Sequence, residues 1–263
     1  MLNRISTIIE AGNLCGLFGP NGSGKSTLFK CALGLLSTPS GTVWLDGRDI
    51  YKLNAGTMAR LAGYVPQEHR LPFPFKVKEI VMMGRTPHLS GAVFGISRKH
   101  RQAAIQALEI LDISHLAEKR YDQLSGGQRQ LVLISRAIAQ ETSILFLDEP
   151  TSALDFDNQI KIWKALRNLA HKGKTILACS HDPNHVAWFC DRVIMLGQGR
   201  VVADGPPRVS ITESTLQKVY QERCRVRKID GIPVVVPENI ETEIHRLNQS
   251  PKIQEFPYNR ATS

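Results

Sequence analysis

The sequence lacks the features that mark membrane-spanning and secreted proteins. No apolar run among its 263 residues approaches the length of about 18 residues that a helix needs to span a bilayer. The amino terminus, MLNRISTIIEAGNL, has no basic segment followed by an apolar one, which is the pattern of a secretory signal. These absences predict a chain that stays in the cytosol.

Cysteine is scarce and scattered along the chain. The five cysteines form no CxxC pair, so neither a zinc site nor a disulfide framework is expected. We predict buried thiols that pack as small apolar side chains. They are Cys15, Cys31, Cys179, Cys190 and Cys224.

The net charge of +9 is spread over the whole sequence, with basic clusters at 98–101 and 223–228. Solvated surfaces are the usual explanation of such clusters. Contact with an anionic membrane surface or with RNA is the alternative.

Strand-like apolar runs alternate with segments of helical period, which predicts a mostly parallel sheet flanked by helices. The predicted strands lie in residues 13–19, 62–67, 143–150 and 174–181, and residues 191–205 are expected to form a hairpin. A short run between glycines predicts part of an antiparallel side sheet and covers residues 41–47.

Helical period dominates from about residue 76 to 120, and we predict an inserted helical subdomain over about residues 76–135. In its helix over RQAAIQALEILDI, the positions predicted to face the core are Ile105, Leu108 and Leu111. In a later amphipathic helix they are Ile162, Leu166 and Leu169. One domain is expected over residues 1–215, followed by an extension over 216–263 with a short strand and a loose tail.

The stretch GPNGSGKST, between a predicted strand and a helix, fits the phosphate-loop pattern G-x-x-x-x-G-K-[ST]. Glycines let backbone N–H groups close around phosphates, and the helix directs its positive end at the same anion. Lys25 is expected to neutralise the β- and γ-phosphates of ATP, and the Ser26 hydroxyl to bind Mg²⁺. The expected binding residues are Gly19, Pro20, Asn21, Gly22, Ser23, Gly24, Lys25, Ser26 and Thr27.

The run ILFLDE predicts a buried strand with two carboxylates at its carboxyl end, where ligands bind in open α/β sheets. We expect Asp148 to hold Mg²⁺, partly through water, and Glu149 to act as the general base on the attacking water.

Two single residues complete the predicted catalytic set. Gln67 is expected to approach Mg²⁺ or the attacking water, and His181 the γ-phosphate. Each follows a predicted strand, and each of these strands is expected to lie beside the strand of the phosphate loop.

The stretch LSGGQRQ opens a helix with two glycines. Ser125 and Gln128 predict a capping box, in which each residue satisfies the other's backbone. The box needs neither Gly126 nor Gly127, and glycine costs about 1 kcal/mol relative to alanine in a helix. We therefore expect another group to come close to this backbone.

In this order, the phosphate loop, Gln67, LSGGQRQ, LFLDEPTSALD and His181 resemble the nucleotide-binding subunit of ATP-binding cassette (ABC) transporters. The resemblance extends to about residue 215. It implies an α/β fold: a P-loop NTPase core with an antiparallel β side sheet and an inserted α-helical subdomain. It also implies a head-to-tail dimer of two such chains with two ATP molecules between them.

In that family arrangement, residues 125–128 bind the γ-phosphate held by Lys25 and Ser26 of the second copy. By the same resemblance, Ser125, Gly126, Gly127 and Gln128 are binding residues, and the stretch ending at Asp155 crosses the interface. ATP would close the dimer and hydrolysis would reopen it, with the helical subdomain passing the motion to a partner.

The resemblance further implies an importer subunit held at the cytoplasmic face of the membrane by a separate permease, with an extracytoplasmic substrate-binding protein. Residues 71–89 look like the subfamily that serves iron–siderophore, haem and cobalamin importers. The segments LSGGQRQLVLISRAIAQ and DEPTSALDFDNQ also resemble molybdate or tungstate importers. A metal chelate is the expected substrate class, with a metal oxyanion as the alternative.

Two further classes stay open. One is a soluble ABC-type ATPase that acts on nucleic acid, although the chain has neither the coiled-coil insertion nor the second cassette usual there. The other is a regulatory module that binds ATP without hydrolysing it, against which Glu149, His181 and Gln67 argue.

The chain departs from the family pattern at its start. Residues 1–17 contain no aromatic side chain to stack on adenine. Either the native chain starts before Met1 or adenine is held differently, and our hypothesis is that a strand is missing before Met1. Without the stacked ring, ATP binding would weaken by about 1–3 kcal/mol.

Overall fold

The computed structural model describes residues 2–67, 74–89, 97–152, 154–220 and 224–238. The strands within these ranges are β1 (Leu14–Phe18), β2 (Trp44–Leu45), β3 (Arg48–Asp49), β4 (Ala62–Val65), β5 (Ile144–Leu147), β6 (Thr175–Ser180), β7 (Arg192–Gly197), β8 (Arg200–Gly205), β9 (Cys224–Ile229) and β10 (Ile232–Pro237). The helices are α1 (Lys25–Ala32), α2 (Ala55–Leu61), α3 (Val77–Met83), α4 (Arg98–Ile110), α5 (Gly126–Ala139), α6 (Phe156–His171), α7 (Pro183–Phe189), α8 (Pro207–Ser210) and α9 (Glu213–Gln217).

The central sheet has the strand order β4-β5-β6-β1-β7-β8. The first five strands run parallel, and β8 returns antiparallel to β7. The predicted fold class, a mostly parallel sheet flanked by helices, is confirmed, as is the hairpin over 191–205. The small antiparallel sheet of β2 and β3 confirms the side sheet at its predicted position.

Both faces of the central sheet are covered, which explains why β1 and β5 are buried along their whole length. Alternate residues of β1 belong to different cores. Leu14 and Phe18 join the large core that contains α5, α6 and α7, whereas Cys15 and Leu17 join the smaller core under α1 and α2. Of the cysteines, Cys224 is half-buried and the other four are buried.

The inward-facing residues of α6 were predicted correctly: Ile162, Leu166 and Leu169 are all buried. The prediction for α4 was partly wrong. Leu108 and Leu111 are buried, but Ile105 is 47% exposed, and alanines at 103, 104 and 107 fill the core-facing side instead. Ile105 lines a groove on the outside of α3 and α4. Within the described residues, no helix is both long and apolar enough to span a bilayer.

The chain after residue 216 forms more than the single strand expected from sequence. Antiparallel β9 and β10 make a hairpin, which packs on α7, α8 and α9. Of the basic cluster at 223–228, Arg225, Arg227 and Lys228 lie on β9, and Arg223 lies outside the described residues. The predicted loose tail falls mainly on residues 239–263, outside the described residues.

Candidate functional site

The phosphate loop (residues 19–24) connects the end of β1 to the start of α1. At its first residue, Gly19, an added Cβ would lie 2.2 Å from the Leu196 carbonyl oxygen of β7. Any side chain there would force the loop away from the neighbouring strand, so the close approach of loop and sheet requires glycine. The packing of β7 thus fixes where the loop leaves the sheet.

The loop encloses a buried positive charge. Lys25 Nζ donates to the carbonyl oxygens of Gly19 and Pro20 over 2.8 and 3.0 Å. The Ser23 hydroxyl is buried and has no hydrogen-bond partner among the described residues. A buried ammonium and an unsatisfied hydroxyl at a helix N-terminus fit a phosphate chain. Of the other predicted loop residues, Gly24 and Pro20 are half-buried, and Asn21, Gly22, Ser26 and Thr27 are exposed.

The two predicted carboxylates follow β5 directly. Asp148 is buried, and its N–H continues the sheet by donating to the Val65 carbonyl oxygen over 2.8 Å. Glu149 has a left-handed backbone with φ of 50°, which non-glycine residues rarely adopt and which clusters at functional sites. This turn directs its side chain, only 13% exposed, toward the polar residues at the ends of the adjacent strands.

Glu149 is the centre of a group that we call the Glu149 cluster (Gln67, Glu149 and His181). Gln67 Nε2 donates to Glu149 Oε2 over 2.9 Å, and His181 Nδ1 lies 3.6 Å from the same oxygen. The three residues follow β4, β5 and β6, which are neighbours in the sheet. The prediction that Gln67 follows a strand beside β1 was wrong, because β4 lies at the edge of the sheet beside β5. The same prediction is confirmed for His181, since β6 pairs with β1.

Lys25 and Asp148 place opposite charges within electrostatic reach of Cys179 in β6. Burial raises the pKa of the Cys179 thiol well above its ordinary value, the carboxylate of Asp148 raises it further, and the ammonium of Lys25 lowers it. Burial and the charge of Asp148 also raise the pKa of Tyr64. Lys25 and Asp148 therefore act on one region at the carboxyl end of the sheet.

The turn after His181 was missed by the sequence analysis. The Ser180 hydroxyl accepts from the Asp182 N–H over 3.1 Å, and Asp182 caps α7 by accepting from the Asn184 N–H over 2.8 Å. Pro183 stands at the first position of α7, where proline is favoured. An aspartate followed by proline was the available signal, because it marks a helix start immediately after His181.

The α5 mouth (residues 125–128) has the predicted capping box. The Gln128 N–H donates to Ser125 Oγ over 3.3 Å, and the Ser125 N–H donates to Gln128 Oε1 over 3.2 Å. Ser125 and Gly126 are exposed, and Gly127 and Gln128 are half-buried. A Cβ added at Gly126 would meet nothing within 4 Å among the described residues. The fold of this chain does not require glycine at 126.

Asp155 has a structural role in this chain. It caps α6, with one carboxylate oxygen accepting from the Asn158 N–H over 2.9 Å and the other from Asn158 Nδ2 over 3.0 Å. Ser152 Oγ donates to the Glu149 carbonyl oxygen over 3.1 Å, so the loop before α6 is tied to the Glu149 cluster. Ala153 lies outside the described residues.

The described ranges contain no group of three or more histidine, cysteine, aspartate or glutamate residues arranged to hold a metal ion. Mg²⁺ needs fewer protein ligands, because it usually binds through one or two side-chain oxygens together with phosphates and water. The buried carboxylate of Asp148 fits that mode.

The helical lobe, formed by α3, α4 and α5, carries a groove of about 680 Å³. Its walls are mainly apolar, and charged side chains surround them. The apolar residues are Met82, Met83, Leu89, Ala104, Ile105, Leu108 and Ala117, and the charged ones are Lys78, Glu79, Arg101 and Glu118. We call this feature the lobe groove.

A family model and the similar known proteins point to the same family. Residues 2–152 match the ABC transporter family. The ferric enterobactin transport ATP-binding protein FepC of Escherichia coli strain K12 is 38% identical over 238 residues, which cover 89% of this chain and 87% of FepC.

Two solved structures share the fold. An ABC transporter in an inward-facing conformation, described as of metal-chelate type, has a TM-score of 0.73 at 33% identity, covering 87% of each chain. A dimeric ATP-binding cassette, MJ0796 in a post-hydrolysis state bound to ADP and Pi, has a TM-score of 0.69 at 28% identity, covering 78% of this chain and 90% of its own.

Proposed function

This chain belongs to the ABC transporter family, and from that premise we propose that it is the ATP-hydrolysing subunit of an importer for a metal chelate. The observation that carries the proposal is the Glu149 cluster, in which side chains from the ends of three adjacent strands meet at one carboxylate. The buried ammonium of Lys25 acts on the same region of the sheet.

The hydrolytic step follows from this arrangement. The loop N–H groups and Lys25 bind the phosphates of ATP and offset their charge. Glu149 accepts a proton from a water whose oxygen attacks the γ-phosphorus, and the bond to the β-phosphate oxygen breaks, leaving ADP and phosphate. His181, beside Glu149, contacts the γ-phosphate. Gln67 orients the Glu149 carboxylate through the hydrogen bond between them.

Asp148, Ser26 and Gln67 are the residues that would hold Mg²⁺ with ATP, partly through water. When bound, this ion neutralises charge on the phosphate oxygens. Asp148 is suited to the role because its carboxylate is buried and directly follows β5, at the carboxyl end of the sheet.

The α5 mouth acts on a second copy of the chain. Its exposed Ser125 and Gly126 supply a helix N-terminus to the γ-phosphate bound by the partner's phosphate loop. Two ATP molecules then bridge two chains, and hydrolysis removes the bridge. The dimeric form of the MJ0796 cassette supports this arrangement.

The lobe groove is the site that a separate permease would occupy. An amphipathic cytoplasmic segment fits it, with apolar side chains on the methionine-rich walls and charged side chains against the rim. The chain would then be a peripheral subunit at the cytoplasmic face of the membrane, where movement of the lobe reaches the permease.

A metal chelate is the proposed cargo because FepC is named for ferric enterobactin and the inward-facing neighbour is described as of metal-chelate type. Iron–siderophore complexes, haem and cobalamin belong to this class. An extracytoplasmic binding protein would deliver the chelate to the permease.

Transport measured in vesicles tests the proposal. The chain is reconstituted with its permease and binding protein, and uptake of ferric siderophore, haem, cobalamin and molybdate is compared with ATP inside. We expect uptake of one of the chelates and none in vesicles with the Glu149→Gln chain. Uptake of molybdate alone would contradict the assigned cargo, and hydrolysis stimulated by RNA or DNA instead of by the permease would contradict the importer assignment.

A further inference from the structure

Side-chain hydrogen bonds join the carboxyl-terminal hairpin to α7 and α9 at Val226 of β9 and Val235 of β10. These two residues face each other in the antiparallel ladder. The Val235 N–H and carbonyl, and the Val226 N–H, bond outside the hairpin, so the two residues form a non-hydrogen-bonded pair of the ladder. In a two-stranded sheet such outward groups have no third strand to pair with.

Side chains take the place of the missing strands. On the β10 side, Asn184 Nδ2 donates to the Val235 carbonyl oxygen over 3.2 Å, and the Val235 N–H donates to Asn184 Oδ1 over 2.8 Å. A carboxamide used in this way reproduces the donor and acceptor of a peptide group. On the β9 side, the Val226 N–H donates to Glu213 Oε1 of α9 over 3.0 Å.

Asn184 also belongs to the turn that carries His181. Its N–H donates to the Asp182 carboxylate, and Asp182 is bound through its own N–H to Ser180 at the end of β6. His181 stands between Ser180 and Asp182. The main chain of Asn184, whose side chain ties the hairpin to α7, is therefore one hydrogen bond from Asp182 and two from Ser180, the residues on either side of His181.

The hairpin is a firm support for this turn. Val226 and Val235 both pack against the large hydrophobic core, and Pro233 of β10 is buried. Asn184 is half-buried, so water competes only partly for the hydrogen bonds of its side-chain carboxamide. The α7 helix has only seven residues, too few to be stable without tertiary contacts.

We propose that Asn184 is a positioning residue for ATP hydrolysis, which couples the carboxyl-terminal hairpin to the turn of His181. By fixing the start of α7 to Val235, it holds the His181 imidazole beside Glu149 and the γ-phosphate. This inference rests on the proposed function and extends it, because it gives the hairpin a role in the ATPase site.

Steady-state ATP hydrolysis by the full chain tests the coupling. Asn184→Ala is expected to lower kcat about five- to thirtyfold, the effect of losing one or two hydrogen bonds, with KM for ATP within about twofold. The matched control is Glu213→Ala, which loosens the opposite side of the same hairpin and is expected to leave kcat unchanged. If Asn184→Ala does not fold, Asn184→Asp serves instead, since its carboxylate keeps the acceptor for Val235 N–H but loses the donor.

A double-mutant cycle with His181→Ala shows whether Asn184 acts on ATP hydrolysis by positioning His181 or by stabilising the fold in general. If Asn184 acts through His181, adding Asn184→Ala to His181→Ala lowers kcat no further. Losses that multiply, or a single Asn184→Ala variant with the wild-type kcat, overturn the inference while leaving the proposed function standing. A wild-type kcat in His181→Ala alone overturns the role of His181 and this inference with it.

Discussion

Two glycines of the candidate nucleotide site are present for different reasons: Gly19 follows β1, and Gly126 opens α5. At the phosphate loop, a Cβ on Gly19 would lie 2.2 Å from the Leu196 carbonyl oxygen, so the packing of the chain itself demands glycine. At the α5 mouth, a Cβ on Gly126 would meet nothing within 4 Å in the described part of the chain, and the capping box already satisfies the helix end. The fold accounts for the first glycine but not for the second.

The phosphate loop and the α5 mouth also differ in the interactions that each makes within its own chain. On the sheet side, Lys25 is buried against carbonyl oxygens, and Glu149 is contacted by Gln67 and His181. On the α5 side, an exposed helix N-terminus has no anion from its own chain among the described residues. We infer that the two regions are complementary halves, which meet when two copies of the chain share ATP.

The largest effect expected is that of Glu149→Gln, which should stop ATP hydrolysis without preventing ATP from bridging the two chains. The amide cannot accept the proton of the attacking water, so turnover should fall about 10²- to 10⁴-fold. Both halves of the nucleotide site remain, and ATP should therefore stabilise the dimer. Turnover is measured by phosphate release and dimerisation by sedimentation. The control is Glu109→Gln on the exposed side of α4; turnover of Glu149→Gln within twofold of that control would contradict the assignment.

Gly19→Ala tests the sheet side of the comparison. The added methyl group collides with backbone, which cannot turn aside as a side chain can, so the free energy of unfolding should fall by about 1–3 kcal/mol. Urea denaturation measures this loss. An unchanged midpoint would mean that the loop does not depend on its contact with β7.

Gly126→Ala is the matched change on the α5 side and should behave in the opposite way. Alanine favours the helix, so the free energy of unfolding should rise by up to about 1 kcal/mol. ATP-driven dimerisation should nevertheless weaken about ten- to a hundredfold, because the added methyl group would hold the partner's γ-phosphate away from the helix N–H groups and a hydrogen bond to a charged group would be lost. A variant that dimerises with the wild-type dependence on ATP would remove the distinction between the two glycines.

Local motifs explain how much of this site could be predicted from sequence. Lys25, Asp148 and Glu149 stand at fixed distances from a strand or a helix start, so their neighbours in the chain decide where they lie. The capping pair of Ser125 and Gln128 is local as well. Such positions depend on short-range geometry, which a single sequence contains.

Features that depend on distant contacts were not predictable. The helical spacing of Ile105 matched a core-facing position of α4. It could not show that this side of α4 faces the lobe groove. The place of β4 at the sheet edge depends on crossover connections between strands. The bonds of Asn184 join residues 51 positions apart, and nothing near Asn184 in the sequence indicates Val235.

The smallest effect expected is a difference in acid sensitivity between the two regions. Burial lowers the pKa of His185 below its ordinary value, against the opposing effect of Asp182, whose carboxylate lies 3.3 Å away. The unfolded chain then binds more protons than the folded one as pH falls through about 6.5, so stability decreases with acid. The α5 mouth has no histidine within residues 121–130.

Thermal unfolding between pH 7.5 and 5.5 measures this contribution. The Tm of the wild-type chain should fall more steeply over this range than that of His185→Gln, in which the titrating group is absent. Equal slopes would show that the protonation of His185 is not linked to folding.

The most direct test of complementary halves is to mix two inactive variants, Lys25→Ala and Ser125→Arg. Each alone should fail to hydrolyse ATP, because every site in its dimer lacks one half. In the mixed dimer, Lys25 of one chain meets Ser125 of the other and rebuilds one complete site. An equimolar mixture should regain ATP hydrolysis; a mixture as inactive as its components, although mixed dimers form, would contradict the pairing of the two halves between chains.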